Sequence, residues 1–219
     1  MSTFKLAIFD MAGTTVEEGG AVYRTLKESV EKHDFPVSPE KLSQIAGMNK
    51  YEAIHYLLPE PVAGDQALID TIFEDFKNRL DQIYLHDPFV SEKPGVTQLF
   101  EKLRKKGIRV ALNTGYARAQ ATILIDRLQW HEHIDDSITS DEVDRGRPHT
   151  DMIFALMKRA NIHDSQKVVK VGDTINDIQE GLNANCGLVV GVLGGAHNEE
   201  QLSEANLILD EIATLSTHL

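Results

Sequence analysis

Positive charge is in short supply in this chain: 22 Lys and Arg stand against 34 Asp and Glu, a formal net charge of −12 with histidine neutral. A surface of that sign repels a phosphate backbone, so nucleic acid is not an expected partner. A small phosphorylated ligand is not excluded, because a metal ion and a few local cations reverse the potential inside one cleft. Cysteine is scarcer still. Cys186 stands alone, so no intramolecular disulfide can form, which fits a reducing compartment. It precedes the apolar run Gly187-Leu188-Val189-Val190 and reads as a buried structural thiol. No stretch approaches the ~20 apolar residues of a membrane-spanning helix. The opening run Leu6-Ala7-Ile8-Phe9 stops at Asp10, too short for the core of a signal peptide, so the expected location is the cytoplasm, away from membranes. Repeats and low-complexity tracts are absent as well.

What is present is an ordinary globular balance, 42% hydrophobic and 26% charged, enough for a sizeable core. Short apolar runs recur as candidate buried strands: Leu6 to Phe9, Arg109 to Asn113, the weaker Ser137 to Thr139, Val168 to Val171 and Gly187 to Val192. Parallel strands covered on both faces read as such continuous runs. Amphipathic stretches alternate with them, at Gly95 to Lys106, Ala117 to Gln129, Met152 to Ala160 and Asn176 to Ala184. Strand and helix in alternation predict a Rossmann-like, doubly wound α/β sheet. The segment 17–87 breaks the rhythm. It offers helical patterns at Val22 to His33, Pro39 to Ile45, Tyr51 to Leu58 and Asp65 to Tyr84, with no convincing strand. Ser38-Pro39 is a good helix start, Ser38 as cap and Pro39 in the first turn. The expected organisation is a core of 1–16 and 88–219 with an inserted helical domain, 17–87.

Four motifs fall near inferred strand ends, the edge where open α/β sheets place their ligands. Asp10-Met11-Ala12-Gly13-Thr14-Thr15 projects a carboxylate into a turn rich in backbone donors. Asn113-Thr114-Gly115-Tyr116 offers a hydroxyl and free amides ahead of a helix, an anion site. Gly146-Arg147-Pro148 carries a guanidinium able to neutralise a phosphoryl oxygen. Gly172-Asp173-Thr174-Ile175-Asn176-Asp177 sets two carboxylates four residues apart, hard oxygen ligands suited to Mg²⁺. Each has a bland alternative: Asp10 and Thr114 as helix caps, Arg147 as a surface arginine, Asp177 as a first-turn acid. Gly194-Gly195-Ala196-His197 follows the last of these strands as a loop whose place the pattern leaves open, and Trp130 reads as packing.

In their order and strand placement, the motifs resemble those of the haloacid dehalogenase superfamily: Asp-x-x-Gly-Thr, then Ser/Thr, then Lys/Arg, then Gly-Asp-x-x-x-Asp. Here they stand as Asp10 to Thr14, Thr114, Arg147, and Gly172-Asp173 to Asp177. The likeness spans essentially the whole chain. It implies a Mg²⁺-dependent hydrolase in which Asp10 attacks phosphorus and is transiently phosphorylated, with the helical insertion as a cap. It further implies Mg²⁺ held by Asp10, the Ala12 carbonyl and Asp173, Asp177 supporting through water, and Thr114, Gly115, Tyr116 and Arg147 at the substrate.

Most phosphatases of this superfamily carry an acid two residues after the nucleophile. Here that position is Ala12, and a phosphomonoesterase without its general acid loses about 10²–10⁴ in rate. Cleavage of a C–P bond has a different need, an electron sink for the carbanion, which a lysine iminium on an adjacent carbonyl supplies. Asp10 to Val16, Thr114-Gly115-Tyr116 and Gly146-Arg147-Pro148 are similar to the phosphonatase branch, the phosphonoacetaldehyde hydrolases. Gly47-Met48-Asn49-Lys50 resembles the segment that carries that branch's imine-forming lysine, a role that would fall to Lys50. Three departures stand beside this. Ala53 occupies the place of the branch's proton-relaying histidine, and His55 lies on another helix face. Gly20 stands where the branch has a cysteine, and the chain is shorter. The expected substrate is a small phosphonate aldehyde or ketone, its carbon skeleton left open. A phosphomonoesterase with Lys50 as a specificity residue is the alternative, and intact Asp10, Asp173 and Arg147 argue against a catalytically dead binding protein. By the same resemblance a homodimer through the cap is expected.

Overall fold

A computed structural model of the chain describes residues 3–46 and 48–219; Gly47, quoted above with Lys50, lies outside them. The chain opens with strand β1 (Leu6–Phe9) and a short strand β2 (Val16–Glu17), then runs through four helices, α1 (Ala21–Glu31), α2 (Pro39–Gln44), α3 (Lys50–Leu57) and α4 (Gln66–His86). It returns through β3 (Ser91–Glu92) into α5 (Val96–Lys105), β4 (Arg109–Thr114), α6 (Arg118–Arg127), β5 (Asp136–Thr139), α7 (Asp151–Arg159), β6 (Val168–Gly172), α8 (Ile175–Asn183), β7 (Leu188–Val192) and β8 (Leu207–Leu209).

Six strands form one sheet in the order β5-β4-β1-β6-β7-β8, every pair parallel. The chain winds from β1 outward through β4 to β5, then crosses back to β6 on the other side of β1. That reversal makes a switch point at the C-terminal ends of β1 and β6, where doubly wound sheets bind their ligands. Alternation along β1 explains its unbroken apolar run. Ala7 and Phe9 pack in a core with Leu99 and Phe100 of α5 and Leu124 of α6. Leu6 and Ile8 point the other way, into a second core with Met152, Ile153 and Leu156 of α7. A strand buried on both faces has no polar side to show. The sheet and its flanking helices are the Rossmann-like arrangement the strand-helix rhythm predicts.

The linkers that enter and leave the α1–α4 segment pair as a two-stranded antiparallel ribbon, Val16 opposite Glu92 and Glu17 opposite Ser91. Within the segment α1, α3 and α4 pack on one another, through Val22, Leu26, Ile54, Ile72, Phe76 and Leu80. Ser38 caps α2 by accepting from the Lys41 N–H, with Pro39 following at the first helical position. Asn49 caps α3, its Oδ1 accepting from Tyr51 at 2.9 Å and Glu52 at 3.3 Å, which places Lys50 at the head of that helix. Strand β8 had no clear sequence signal, since it is three residues long and only Leu209 is buried. No helix among the described residues is long and apolar enough to cross a membrane.

Candidate active site

The C-terminal ends of β1, β4 and β6 deliver Asp10, Thr114 and Asp173 to one place, and the loop before α7 brings Arg147 over them. All four are buried. Asp10 does not cap a helix: its Oδ1 accepts from Arg147 Nη2 at 2.7 Å, and its turn is held by the Thr15 hydroxyl, which donates to the Asp10 carbonyl at 2.8 Å. Asp173 accepts from the Thr14 hydroxyl at 2.8 Å and from the Ala196 N–H at 2.7 Å. Its carboxylate lies in a cradle that only glycine allows. A Cβ at Gly13 would stand 2.3 Å from Asp173 Oδ2, and one at Gly195 would stand 2.1 Å from it. Gly13 also has φ +80°, the left-handed region that disfavours side chains. The 194–197 loop thereby belongs to the site.

Asp10, Asp173 and Asp177 each offer a carboxylate oxygen within 4.8 Å of the others. Three acids so close, out of water, disfavour full ionisation without a cation. Burial, together with Asp10 and Asp177, pushes the Asp173 carboxyl up to about 7, and burial raises Asp10 above its usual range despite Arg147. Asp177 goes the other way: burial opposes its charge, but Arg147 and Lys170 hold it down at about 2. Its Oδ1 is taken by Arg147 Nη1 and by Lys170 Nζ at 2.8 Å, and its Oδ2 accepts from Thr174 at 2.5 Å. Asp10 and Asp173 are therefore the carboxylates with lone pairs to spare, a hard-oxygen donor set that fits a divalent cation.

Below this layer lies a network the sequence reading did not identify. Lys170, in the middle of β6, donates to Asn113 Oδ1 at 2.7 Å and sits 3.2 Å from Glu180. Asn113 donates to both Glu180 oxygens, at 3.0 and 2.8 Å. Lys170, Asn113, Asp177 and Glu180 are all fully buried. A lysine interrupting an apolar central strand was the available signal, because a buried charge requires a partner.

Lys50 reaches the site from α3. It is 6% exposed, donates to the Met48 carbonyl at 2.7 Å and stands 5.4 Å from the centre of the Tyr23 ring. Burial and the neighbouring Arg147 pull its amine down to about 8. Lys50, Asp10, Ala12, Tyr23, Thr114, Gly115, Tyr116, Arg147 and Thr174 border one small cavity, where Lys50 of the helical segment meets Asp10, Thr114 and Arg147, while Asp173 borders a neighbouring one and Asp177 neither. Thr114 accepts from the Tyr116 N–H at 3.3 Å rather than capping α6, which starts after Ala117 without a side-chain cap. Tyr84 of α4 donates its hydroxyl hydrogen to the Tyr116 hydroxyl. Arg147 keeps one donor in reserve: Nε is buried without a hydrogen-bond partner among the described residues. Ala53 is buried and His55 exposed, outside that lining.

Glu18 was also missed. It follows the linker strand β2, is 8% exposed, accepts from the Val22 N–H at 2.8 Å, and is pushed by burial up to about 7. It borders a neighbouring cavity with Ala12, Tyr23 and Asp173.

A strand-end aspartate, a second buried carboxylate beside it and a buried arginine meet at the switch point of this Rossmann-like sheet, and the fold is that of a hydrolase class. The chain belongs to the haloacid dehalogenase-like hydrolases, whose family model matches residues 7–191. Within that family it is similar to the phosphonoacetaldehyde hydrolases of Bacteroides fragilis, 32% identical over 93% of this chain and 81% of the relative, and of Bacillus cereus strain B4264, 27% identical over 96% and 81%. The fold is shared with a phosphonoacetaldehyde hydrolase-like protein from Oleispira antarctica, with a TM-score of 0.83 and 24% identity over 99% of this chain and 91% of that one. A predicted phosphoglycolate phosphatase from Haemophilus somnus 129pt superposes as well, with a TM-score of 0.82 and 18% identity over 100% and 99%.

Proposed function

We propose that the protein is a Mg²⁺-dependent, phosphonatase-like hydrolase that cleaves the C–P bond of a phosphonate aldehyde or ketone, using Lys50 and Asp10. One observation carries this reading: Lys50, buried with its amine near 8, borders the same cavity as Asp10 while position 12 is an alanine. A lysine that sheds its proton easily is what imine formation needs. The relatives named phosphonoacetaldehyde hydrolase support the same choice.

Asp10, Asp173 and the Ala12 carbonyl would hold the cation, which supplies charge neutralisation at the phosphoryl oxygens. The neutral Lys50 amine adds to the substrate carbonyl, and loss of water leaves an iminium β to phosphorus. Arg147, through its unpartnered Nε, and Thr114 orient the PO₃ group toward the Asp10 carboxylate. Asp10 then takes phosphorus as the C–P electron pair moves into the iminium, giving an enamine on Lys50. Water attacks the phosphoaspartate and releases phosphate, and hydrolysis of the protonated enamine frees the carbonyl product and Lys50.

Reductive trapping tests this. Borohydride added with phosphonoacetaldehyde is expected to inactivate the enzyme with label on Lys50, and Lys50→Arg is expected to lose phosphate release from the phosphonate. Turnover of the phosphonate without trapping would contradict it. The second reading, a phosphomonoesterase, has Glu18 in its favour: a buried carboxyl near 7 bordering a cavity with Ala12 could stand in for the missing acid. Release of phosphate from p-nitrophenyl phosphate but from no carbonyl phosphonate would favour it.

A further inference from the structure

A second chamber adjoins the cavity at Asp10, and we propose that it receives an apolar, ring-sized substituent on the carbon skeleton of the substrate. This rests on the reading that the phosphorus end of the substrate sits at Asp10. The cavity there measures about 20 Å³, on the scale of a water molecule, so the carbon skeleton of a substrate whose phosphorus lies at Asp10 has to extend into an adjoining cavity. Two neighbouring cavities could take the rest.

One, of about 120 Å³, is bordered by Glu17, Glu18 and Asp173 with no lysine or arginine in its lining. Lys50 is not in its lining, so a carbonyl carbon held at Lys50 does not continue into it. The other, of about 250 Å³, lies between α3 and α4 on one side and the segments 115–120 and 140–141 on the other. It shares Lys50, Gly115 and Tyr116 with the cavity at Asp10, so a carbonyl carbon held at Lys50 has this chamber as its continuation.

The walls specify what fits. Tyr51, Phe73, Phe76 and Tyr116 contribute rings. The polar groups beside them are engaged: the Tyr51 hydroxyl donates to Asp70 at 2.5 Å, Asn49 donates to Ser140 at 2.9 Å, and Gln120 donates to Asp81 at 2.7 Å. Lys77, the second cation in the lining, is ion-paired with Glu74 at 2.6 Å and stands 4.8 Å over the Phe73 ring. With Lys77 paired and four aromatic rings in its walls, the chamber favours apolar substituents over charged ones. About 150 Å³ of apolar space accommodates a benzene ring. A two-carbon aldehyde would leave the chamber unfilled.

The test measures binding, so it stands apart from the chemistry at Lys50. Carbonyl-free phosphonates from methyl- through propyl- to 3-phenylpropylphosphonate are titrated into the Mg²⁺-loaded enzyme by calorimetry. Affinity is expected to rise at least about tenfold from the methyl to the phenylpropyl compound, the scale of one or more methylenes in an apolar pocket. Ala117→Phe, which fills the chamber from a half-buried wall position, is expected to flatten that rise. Phe73→Ala, which enlarges it, is expected to move the preference toward bulkier rings. Equal affinity across the series, no binding of the longer members, or a rise that Ala117→Phe leaves intact would overturn the proposal. Failure of the imine reading shows elsewhere, as absence of phosphate release from every 2-oxoalkylphosphonate of matched length.

Discussion

Lys50 is the residue where stability and chemistry pull apart. Its amine falls from 10.5 to about 8 chiefly through burial, a drop that corresponds to about 3 kcal/mol. Below pH 8 the amine is charged in the folded and the unfolded chain alike, so folding bears that full penalty. Between 8 and 10.5 the folded chain is already neutral, and the penalty fades. Lys50→Met is therefore expected to raise the melting temperature at pH 7, with the gain shrinking toward pH 10, while carbonyl-dependent activity disappears; calorimetric scans at several pH values check it. The wild-type rate on a carbonyl phosphonate is expected to climb with pH toward 8, as the neutral amine accumulates.

Asp173 gives a second pH dependence in the same direction, through the metal rather than the amine. Its carboxyl, raised to about 7 by burial and by Asp10 and Asp177, must lose its proton to bind a cation. Mg²⁺ affinity, measured by titration calorimetry, is expected to weaken about tenfold per pH unit below 7 and to be accompanied by proton release. Affinity independent of pH between 5.5 and 7.5 would contradict the assignment.

At the scale of elements, β6 and α8 carry the site's foundation. Lys170 on the strand meets Asp177 and Glu180 on the helix, all without solvent. Removing one partner of a buried ion pair is destabilising by about 3–5 kcal/mol, because the remaining charge is stranded. Lys170→Met is expected to lose stability on that scale in urea melts; a change below 1 kcal/mol would mean the network is dispensable.

The same elements show what a reader of the sequence could see. Strands β1, β4, β6 and β7 were legible because burial on both faces makes continuous apolar runs. The Asp10 and Asp173 motifs were legible because a polar residue ends each run. Lys170 was hidden inside such a run, and its partner Asn113 lies 57 residues away in sequence, so their meeting depends on the pairing of β6 and β4 with β1. Glu18 gave no signal at all: two adjacent glutamates before paired glycines read as an exposed linker, and its burial comes from the Val22 N–H it binds at the head of α1 and from distant segments such as Asp173 and Gly194 to Ala196 around it.

For the whole molecule, polar contacts near α2 and α3 help seat the helical segment on the strand ends, beside those that α4 makes to Gln120, Tyr116 and Arg127. Asn176, at the head of α8, donates to the Ala46 carbonyl. Asn49 donates to Ser140 at 2.9 Å. His197 Nδ1 accepts from the Ile175 N–H at 2.9 Å, while its other ring nitrogen lies 3.4 Å from the Ser43 carbonyl. Partly exposed side-chain contacts of this kind are of the strength that opens and recloses around ligands. The double variant Asn176→Ala and Ser140→Ala is expected to speed amide exchange across α2 and α3 while leaving β1 and β4 protected. Unchanged exchange in the helical segment would place the restraint elsewhere, in the contacts of α4 with α6, among them Gln120 to Asp81 and Arg127 to the Tyr84 carbonyl.

Everything at Asp10 turns on whether phosphorus becomes bonded to that carboxylate. Rapid acid quench during turnover of a carbonyl phosphonate, followed by peptide mass spectrometry, reads this directly. The account predicts the mass of one phosphoryl group on the peptide containing Asp10, labile to hydroxylamine and absent from Asp10→Asn, which should also be inactive. Full turnover by Asp10→Asn, or a phosphoryl group found only on another residue, would contradict it.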